Sequence, residues 1–340
     1  MGQGWKRFKR QYIQLLSAVL YNCNWKGFAE GRIYQGNTKG LCVPGLNCYS
    51  CPGATMACPL GSLQTALVSS RYRFPNYVLG TILLLGLCLG RLICGMLCPF
   101  GFLQELLHKL PTPKIKKNKV TRALSLLKYG ILLVFVLFIP VVMAEPAFCK
   151  IICPAGTLEA GIPLTILQSS LRSMIGGLFT WKVLVLILLL VLCVFCYRVF
   201  CRFLCPLGAI YSLLNPVSFF GIKVDQSKCI HCGKCVQTCR LDVRRVCDRE
   251  CVQCGECISR CPVSAIHYGW REKCPEEKES KKQEQKTRKV LSQKQGRRYI
   301  VLSFLLIGAI ALLVWGGLDG GFNDIKNKAI RICYECMGIG

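Results

Sequence analysis

Residues 229–262 carry the densest chemistry in the chain. They read Cys229-Ile-His-Cys232-Gly-Lys-Cys235-Val-Gln-Thr-Cys239, then Cys251-Val-Gln-Cys254-Gly-Glu-Cys257-Ile-Ser-Arg-Cys261-Pro262. This is one C-x2-C-x2-C-x3-C pattern written twice. Three thiolates so closely spaced wrap one corner of a [4Fe–4S] cube, and Gly233 and Gly255 ease the tight turns between them. The fourth Cys of each run stands too far along to close the same cube, so it ligates the other one. One cluster then takes Cys229, Cys232, Cys235 and Cys261, and the other takes Cys251, Cys254, Cys257 and Cys239. Zinc sites use C-x2-C pairs, so the spacing sets zinc and a disulfide scaffold aside. Arg240 stands where a proline would follow the first run, and it leaves the ligands intact.

A second spacing, C-x3-C-P, occurs at Cys94-Gly-Met-Leu-Cys98-Pro99 and at Cys201-Arg-Phe-Leu-Cys205-Pro206. It puts two thiols one helical turn apart on one face. The proline then ends that bond pattern or opens a new helix. The two stretches belong to an internal repeat: GRLICGMLCPFGFLQELL (90–107) aligns with YRVFCRFLCPLGAIYSLL (197–214). Upstream, Cys58-Pro-Leu-Gly-Ser-Leu-Gln resembles Cys153-Pro-Ala-Gly-Thr-Leu-Glu. One thiol pair leaves a tetrahedral sulfur site half filled, and two pairs fill it. Cys94, Cys98, Cys201 and Cys205 are therefore expected to share one further iron–sulfur or metal centre. Lone Cys23, Cys88, Cys193 and Cys196 read as small apolar residues packing helices. A third group comprises Cys42, Cys48, Cys51, Cys58, Cys149, Cys153, Cys333 and Cys336. Two more clusters, one cluster with redox dithiols, or disulfides all suit these eight.

The elements that must position these thiols are apolar. The chain has 340 residues, 26 of them Cys, and is 52% hydrophobic. Its mean hydropathy of +0.40 marks a membrane protein with a soluble insert. Apolar runs fall at Tyr12 to about Trp25, 76–93, 123–143, 181–200 and 299–317. The fold expected is an α-helical membrane bundle of about five spans with an internal two-fold repeat, carrying a small α+β double-cluster insert. Its parts are a first repeat with a Cys-rich outer loop (1–115), a second repeat (116–222), the cluster domain (223–268), a charged linker (269–298), and a fifth span with a Cys tail (299–340).

The net charge is +27, and the basic residues flank apolar runs as cytoplasmic membrane edges do. Lys6, Arg7, Lys9 and Arg10 and the basic 109–122 loop place the N-terminus inside. Five spans then leave the cluster domain in the cytoplasm and the C-terminus outside, in a multi-pass inner-membrane protein. With no groove-reading motif, nucleic acid is not an expected partner. The chain has three His; they lie in a polar loop or flank the cluster domain, and no C-x-x-C-H occurs, so no haem is expected. No G-x-G-x-x-G follows a strand pattern. The first apolar run has no small-residue cleavage site, so no cleavable signal peptide is expected.

C-x3-C-P twice beside spans, followed by the double C-x2-C-x2-C-x3-C run, resembles the membrane-bound polyferredoxins over about residues 75–265. That group includes the quinol-dehydrogenase membrane subunit of periplasmic nitrate reductase and the membrane ferredoxin of methylamine utilisation. It also includes the C-terminal part of the nitrous-oxide reductase regulator. The resemblance implies electron transfer between the membrane and a partner across it. The loop at Cys42–Cys58, the Cys149/Cys153 pair and the Cys333/Cys336 tail depart from the group and look like 4Fe–4S binding membrane proteins of anaerobic bacteria. A conduit is the reading they favour: acidic ferredoxins or flavodoxins inside, steered by Lys223, Lys228, Lys234, Arg240, Arg244 and Arg245, and a redox partner of unknown identity outside. A quinone oxidoreductase subunit and a redox-sensing regulatory or assembly protein are the alternatives. The few ionisable residues expected near the spans, Glu105 and Glu145 at their ends, speak against the quinone subunit.

Overall fold

The computed structural model describes residues 3–69, 74–115, 117–270, 284–330 and 333–339, with the side chains of 3–9, 284–299 and 335 excepted. The first half of the charged linker, 271–283, lies outside the described residues.

The protein is mostly helical, with one small two-stranded sheet. Three helices are long and apolar enough to cross a membrane: Lys119–Met143, Gly177–Phe195 and Ile300–Leu318. They coincide with three of the five expected spans. Their Leu, Ile, Val and Phe side chains stay exposed, as at Leu133, Phe138, Leu184, Ile187, Phe304 and Trp315. Apolar surface of this extent calls for a hydrocarbon solvent. The last of the three is the C-terminal part of a single helix, Glu284–Leu318, so the described half of the linker continues into it without a break.

The other two expected spans take different forms. Residues 76–93 give the helix Asn76–Leu89, 14 residues long, which stops at Gly90 with φ of 53°. At 1.5 Å per residue it covers about 21 Å, less than a hydrocarbon core of about 30 Å. It packs along Glu284–Leu318. Gly80 lies against the backbone of Leu313, and Gly316 against that of Tyr77. Side chains at these two glycines would push the helices apart, the same small-residue contact that joins helices in lipid.

The expected first span lies within the amphipathic helix Gln3–Tyr21. This helix has its polar side inward: Arg10, Gln14 and Ser17 are buried, while Ile13, Leu16 and Leu20 are exposed. Gln14 donates through Nε2 to the Gly95 carbonyl at 2.9 Å. Asn22, just beyond its end, is hydrogen-bonded to Asn47 of the Cys-rich loop at 2.9 Å.

The insert is built on strands Phe220–Val224 and Ile266–Trp270, paired antiparallel with Ile222 opposite Tyr268. Two five-residue helices, Lys234–Thr238 and Glu256–Arg260, lie within its two Cys runs and carry Cys235 and Cys257. One apolar core joins the parts. It contains Cys58, Cys94, Cys98, Cys149, Cys153, Cys201, Cys205 and Cys336, with Cys239, Cys251 and Cys254 of the insert packed against it.

Candidate functional site

The insert positions its thiols through two equivalent turns. Gly233 and Gly255, with φ of 70° and 78°, each precede a short helix, and His231 and Gln253 take φ of 52° and 54° at matching places. Left-handed backbone at both steps bends each run back on itself so that three thiols face one volume. Cys235 lies in the electrostatic field of Cys229 and Cys232. Cys239 lies instead in the field of Cys251 and Cys254. Cys232 is exposed, whereas the backbone beside Cys251 and Cys254 turns toward the bundle: Val252 and Gln253 are buried.

Two carboxylates hold the insert to the bundle: Asp242, which accepts from Arg202 Nε at 2.9 Å and from the Thr121 hydroxyl at 3.0 Å, and Glu250. Glu250 accepts at Oε2 from Arg91 Nη1 at 2.9 Å and from the Lys128 ammonium. Tyr129 and Ser212 hydroxyls donate to its Oε1 at 3.3 Å. Burial pushes the Glu250 carboxyl up, but the Arg91 and Lys128 cations outweigh burial and hold it below its ordinary value. Asn215 adds bonds to the carbonyls of Asp248 at 2.7 Å and Cys251 at 3.2 Å. Gly95 lies directly against the Val252 carbonyl, which brings Cys94 beside the second Cys run.

The four C-x3-C-P thiols lie together and are buried. Cys98 sits in the field of Cys201 and Cys94, and Cys205 in that of Cys201, Cys94 and Cys98. Two arginines cross between the segments. Arg91 Nη2 donates to the Cys201 carbonyl at 3.2 Å, and Arg198 Nη1 donates to the Cys94 carbonyl. Gln104 Nε2 points at Cys201 Sγ, 3.0 Å away. Behind them Glu105 is paired with Arg198 at 3.0 Å and with Arg10. The ionisable groups near the spans are thus far more numerous than Glu105 and Glu145. Arg10, Arg91, Arg198, Arg202, Lys128 and Lys182 are all buried, and Arg202 is paired with Asp242 of the insert.

Four cysteines share a further local pattern, Cys-Pro-x-Gly, at Cys58, Cys98, Cys153 and Cys205. At Cys98 and Cys205 the proline opens a helix and the cysteine stands at its N-cap. The Gly208 amide donates to Cys205 Sγ at 3.3 Å and the Gly61 amide to Cys58 Sγ at 3.5 Å. A helix start favours the thiolate, the form that binds metal.

The remaining Cys-rich loop reaches the same core. Gly45 is packed against Cys98, and Tyr211, fully buried, donates to the Pro44 carbonyl at 2.8 Å. Cys48 and Cys51 lie near Glu159, which accepts from the Cys48 amide at 2.6 Å. Burial pushes the Glu159 carboxyl up to about 7, opposed by that hydrogen bond. Lys39 is fully buried and donates to the Ala54 carbonyl; burial lowers its ammonium to about 8, opposed by the Cys48 and Cys51 thiols.

At the other end, Cys149, Cys153, Cys333 and Cys336 meet. Cys333 and Cys336 sulfurs are 2.8 Å apart, and Tyr49 Oη lies 3.3 Å from Cys336 Sγ. Of the lone cysteines, Cys193 and Cys196 are buried, Cys88 is half-buried and Cys23 is exposed.

Every described cysteine is a free thiol. Among the described residues no three His, Cys, Asp or Glu converge on one single-ion position, the insert's thiols included. A cube binds its thiolates at separate iron corners, farther apart than the edges of about 3.8 Å in a tetrahedral single-ion site. The insert's thiols, gathered in two groups, suit that cofactor.

An insert of this form on an apolar helical bundle has the cysteine arrangement of 4Fe–4S ferredoxin-type proteins. One 4Fe–4S binding domain family matches residues 77–118, 128–162 and 178–224, and a second matches 222–245. The chain is 34% identical over 170 residues to an uncharacterized protein of Methanocaldococcus jannaschii, covering 48% of this chain and 64% of that one. It is 26% identical to the putative electron transport protein YccM of Escherichia coli K12, covering 52% of this chain and 49% of YccM. With the methylamine utilization ferredoxin-type protein MauN of Methylobacillus flagellatus it shares 24% identity, covering 68% of this chain and 74% of MauN. The matches to the first two span less than two thirds of those proteins' length. No solved structure matches the chain. The likeness to membrane-bound polyferredoxins read from the sequence stands, and the chain carries regions that match 4Fe–4S binding domains and has electron-transfer relatives.

The C-x3-C-P arginines, the Glu250 contacts and Lys182 were not singled out in the sequence. The arginines had a signal: Arg91 and Arg198 occupy the same column of the repeat alignment, three residues before the first Cys of each pair.

Proposed function

We propose that this chain is an integral-membrane electron conduit. The reading rests on one observation: buried thiols follow one another through a single core, from the insert's second Cys run to the C-terminal tail. A hydrocarbon core of about 30 Å is too wide for one efficient hop, so a conduit needs centres at both faces. The insert holds two [4Fe–4S] clusters, one on Cys229, Cys232, Cys235 and Cys261, the other on Cys251, Cys254, Cys257 and Cys239. The first meets soluble carriers at the exposed Cys232, beside the exposed cations Lys228, Lys234, Arg244 and Arg245, which suit acidic ferredoxins or flavodoxins. The second abuts the bundle. Cys94, Cys98, Cys201 and Cys205 hold the next centre, and the loop and tail thiols stand beyond it.

In this reading the bundle is an inner-membrane, two-fold repeated unit of five spans. The helix Gln3–Tyr21 and the short helix Asn76–Leu89, carried on past Gly90 by Leu92–Met96, complete the set, with the insert in the cytoplasm. The crossed Arg91 and Arg198 contacts support the repeat, because each does in its own half what the other does in the facing one.

The test is electron flow across a sealed bilayer. Proteoliposomes loaded with ferricyanide and given reduced ferredoxin outside are expected to bleach the trapped oxidant. Cys201→Ser is expected to stop the bleaching while the insert's EPR signals remain. Bleaching no faster than in empty liposomes refutes the conduit.

A second reading, a quinone oxidoreductase subunit, is favoured by one cavity of about 240 Å³. It lies between Asn76–Leu89 and the C-terminal helices, lined by Tyr49, Phe74 and Tyr77 with Asp319, Asp324 and Lys328. An apolar slot with ionisable groups at its mouth suits a quinone headgroup and its protons. Reduction of a soluble quinone analogue that is lost in Tyr77→Trp would favour this reading.

A further inference from the structure

We propose that Cys149, Cys153, Cys333 and Cys336 bind one iron–sulfur cluster of their own, separate from the insert and from the C-x3-C-P quartet. The site deepens the conduit reading and rests on it for its purpose, as the outer terminus of the path.

Eight thiols had been left undivided by the sequence. The structure divides them by position. Cys333 and Cys336 sulfurs are 2.8 Å apart, and Cys149, beside Cys153, is brought to Cys336 by the Lys182 ammonium, which bonds the carbonyls of both. These four thiols thus gather in one place, although they are drawn from segments some 180 residues apart. Cys42, Cys48, Cys51 and Cys58 lie in one another's fields on the neighbouring loop, where the Cys51 amide donates to the Cys48 carbonyl at 3.1 Å.

The surroundings are those of a built site. The tail is packed inside the protein: Cys336, Met337 and Ile339 are buried. Gly156 lies against the Cys336 carbonyl, and Gly338, with φ of 82°, against the Lys182 side chain. A side chain at Gly156 would push away the Cys336 carbonyl, and one at Gly338 would press on Lys182. Lys182, 1% exposed, donates from one ammonium to the Cys149 carbonyl at 2.9 Å and to the Cys336 carbonyl. It therefore ties the two halves of the thiol set together. Four thiolates on a cube carry net negative charge, and burying that charge is costly without a cation beside it. Lys182 is that cation, set within a run of Leu and Val where an uncompensated ammonium would be strongly unfavourable. The Cys336 amide also donates to Cys333 Sγ at 3.3 Å, the kind of bond that supports a ligating thiolate.

The experiment uses the full chain purified anaerobically in detergent. Iron and acid-labile sulfide are counted in the wild type, in Cys336→Ser and in Cys149→Ser. Each variant is expected to lose the same amount, about four irons for a cube, and to keep the insert's EPR signals, which report that the protein has folded. Lys182→Met is expected to lose the same set in part. Native alkylation with mass mapping gives a readout without variants: all four cysteines are expected to be protected together and to become reactive together once iron is stripped. Unchanged iron in Cys336→Ser, a Cys333–Cys336 disulfide in the wild type, a single zinc in place of iron, or separate reactivity of the two pairs would each overturn the site. None of these outcomes touches the conduit reading, which stands or falls on flow across the liposome. Conversely, a cluster present without flow leaves the site intact and removes the conduit.

Discussion

Arg91 donates through Nη2 to the carbonyl oxygen of Cys201, 3.2 Å away, across 110 residues of chain. Arg198 returns the contact to the Cys94 carbonyl. Each guanidinium fixes the backbone of the facing C-x3-C segment, so neither thiol pair is positioned by its own segment alone. Arg91→Met and Arg198→Met are each expected to loosen the four-thiol site and lower total iron, leaving the insert's signals unchanged. Combined, they should cost less than the sum of the two, because both act on one unit. Iron content with EPR checks this, and full iron in either single variant contradicts it.

Behind that contact Glu105 sits buried between Arg10 and Arg198. Glu105→Gln leaves two buried guanidinium groups without their carboxylate, a loss on the order of 3–5 kcal/mol. Arg10→Met leaves the Glu105–Arg198 pair in place and is expected to cost less. Thermal unfolding of the purified variants should rank them wild type, Arg10→Met, Glu105→Gln from most to least stable. The reverse order of the two variants would show that Arg10, not Glu105, is the centre of the cluster.

The docking of the insert depends on Glu250, which accepts from Arg91, Lys128, Tyr129 and Ser212 of the bundle. Glu250→Gln removes the charge that two buried cations share. Hydrogen exchange over residues 241–254 is expected to quicken, and magnetic coupling between the second cluster and the bundle centre to weaken, while the insert keeps its iron. Unchanged exchange would mean that Asn215 and Arg202 hold the insert without it.

What the sequence showed tracks the range over which each feature is determined. The insert's paired Cys runs and their turns were legible, because its thiols lie within a few residues and its turns need glycine at fixed steps. The C-x3-C-P quartet was legible only through the repeat, since one pair alone carries no hint of its partner. For the tail, topology narrowed the neighbours of Cys333 and Cys336 to thiols of the same face, Cys48/Cys51 and Cys149/Cys153, but could not choose between them, since the tail carries no repeat. The helix Gln3–Tyr21 was read as a span from its apolar residues. Its inward polar side, Arg10, Gln14 and Ser17, follows a helical period that becomes meaningful once Glu105 and Gly95 stand opposite. The 76–93 run was read as longer than its helix because apolar content gave no warning that Gly90 turns the chain.

The placement of the tail can be settled from its neighbours. Lys328 donates to the Thr65 carbonyl at 3.4 Å, and Lys326 is bonded to Asn37. The helix Gly321–Ala329 and the Cys-rich loop therefore lie on one face, and topology must treat them alike. The proposed arrangement of five spans from a cytoplasmic N-terminus would put both outside. The native tail thiols are poor reporters, since Cys336 is buried and Cys333 half-buried. Asn327, on the same helix, and Gln35, in the loop, are exposed. Asn327→Cys and Gln35→Cys are expected to react with a membrane-impermeant maleimide in intact cells, each mapped by mass to its own peptide. Gln226→Cys, on the exposed turn of the insert, is expected to react only after the membrane is opened. Labelling of Gln226→Cys in intact cells would invert the topology and turn the outer thiol site into an inner one. Labelling of only one of Asn327→Cys and Gln35→Cys would contradict the packing of the tail against the loop, and with it the route by which Cys333 and Cys336 reach Cys149.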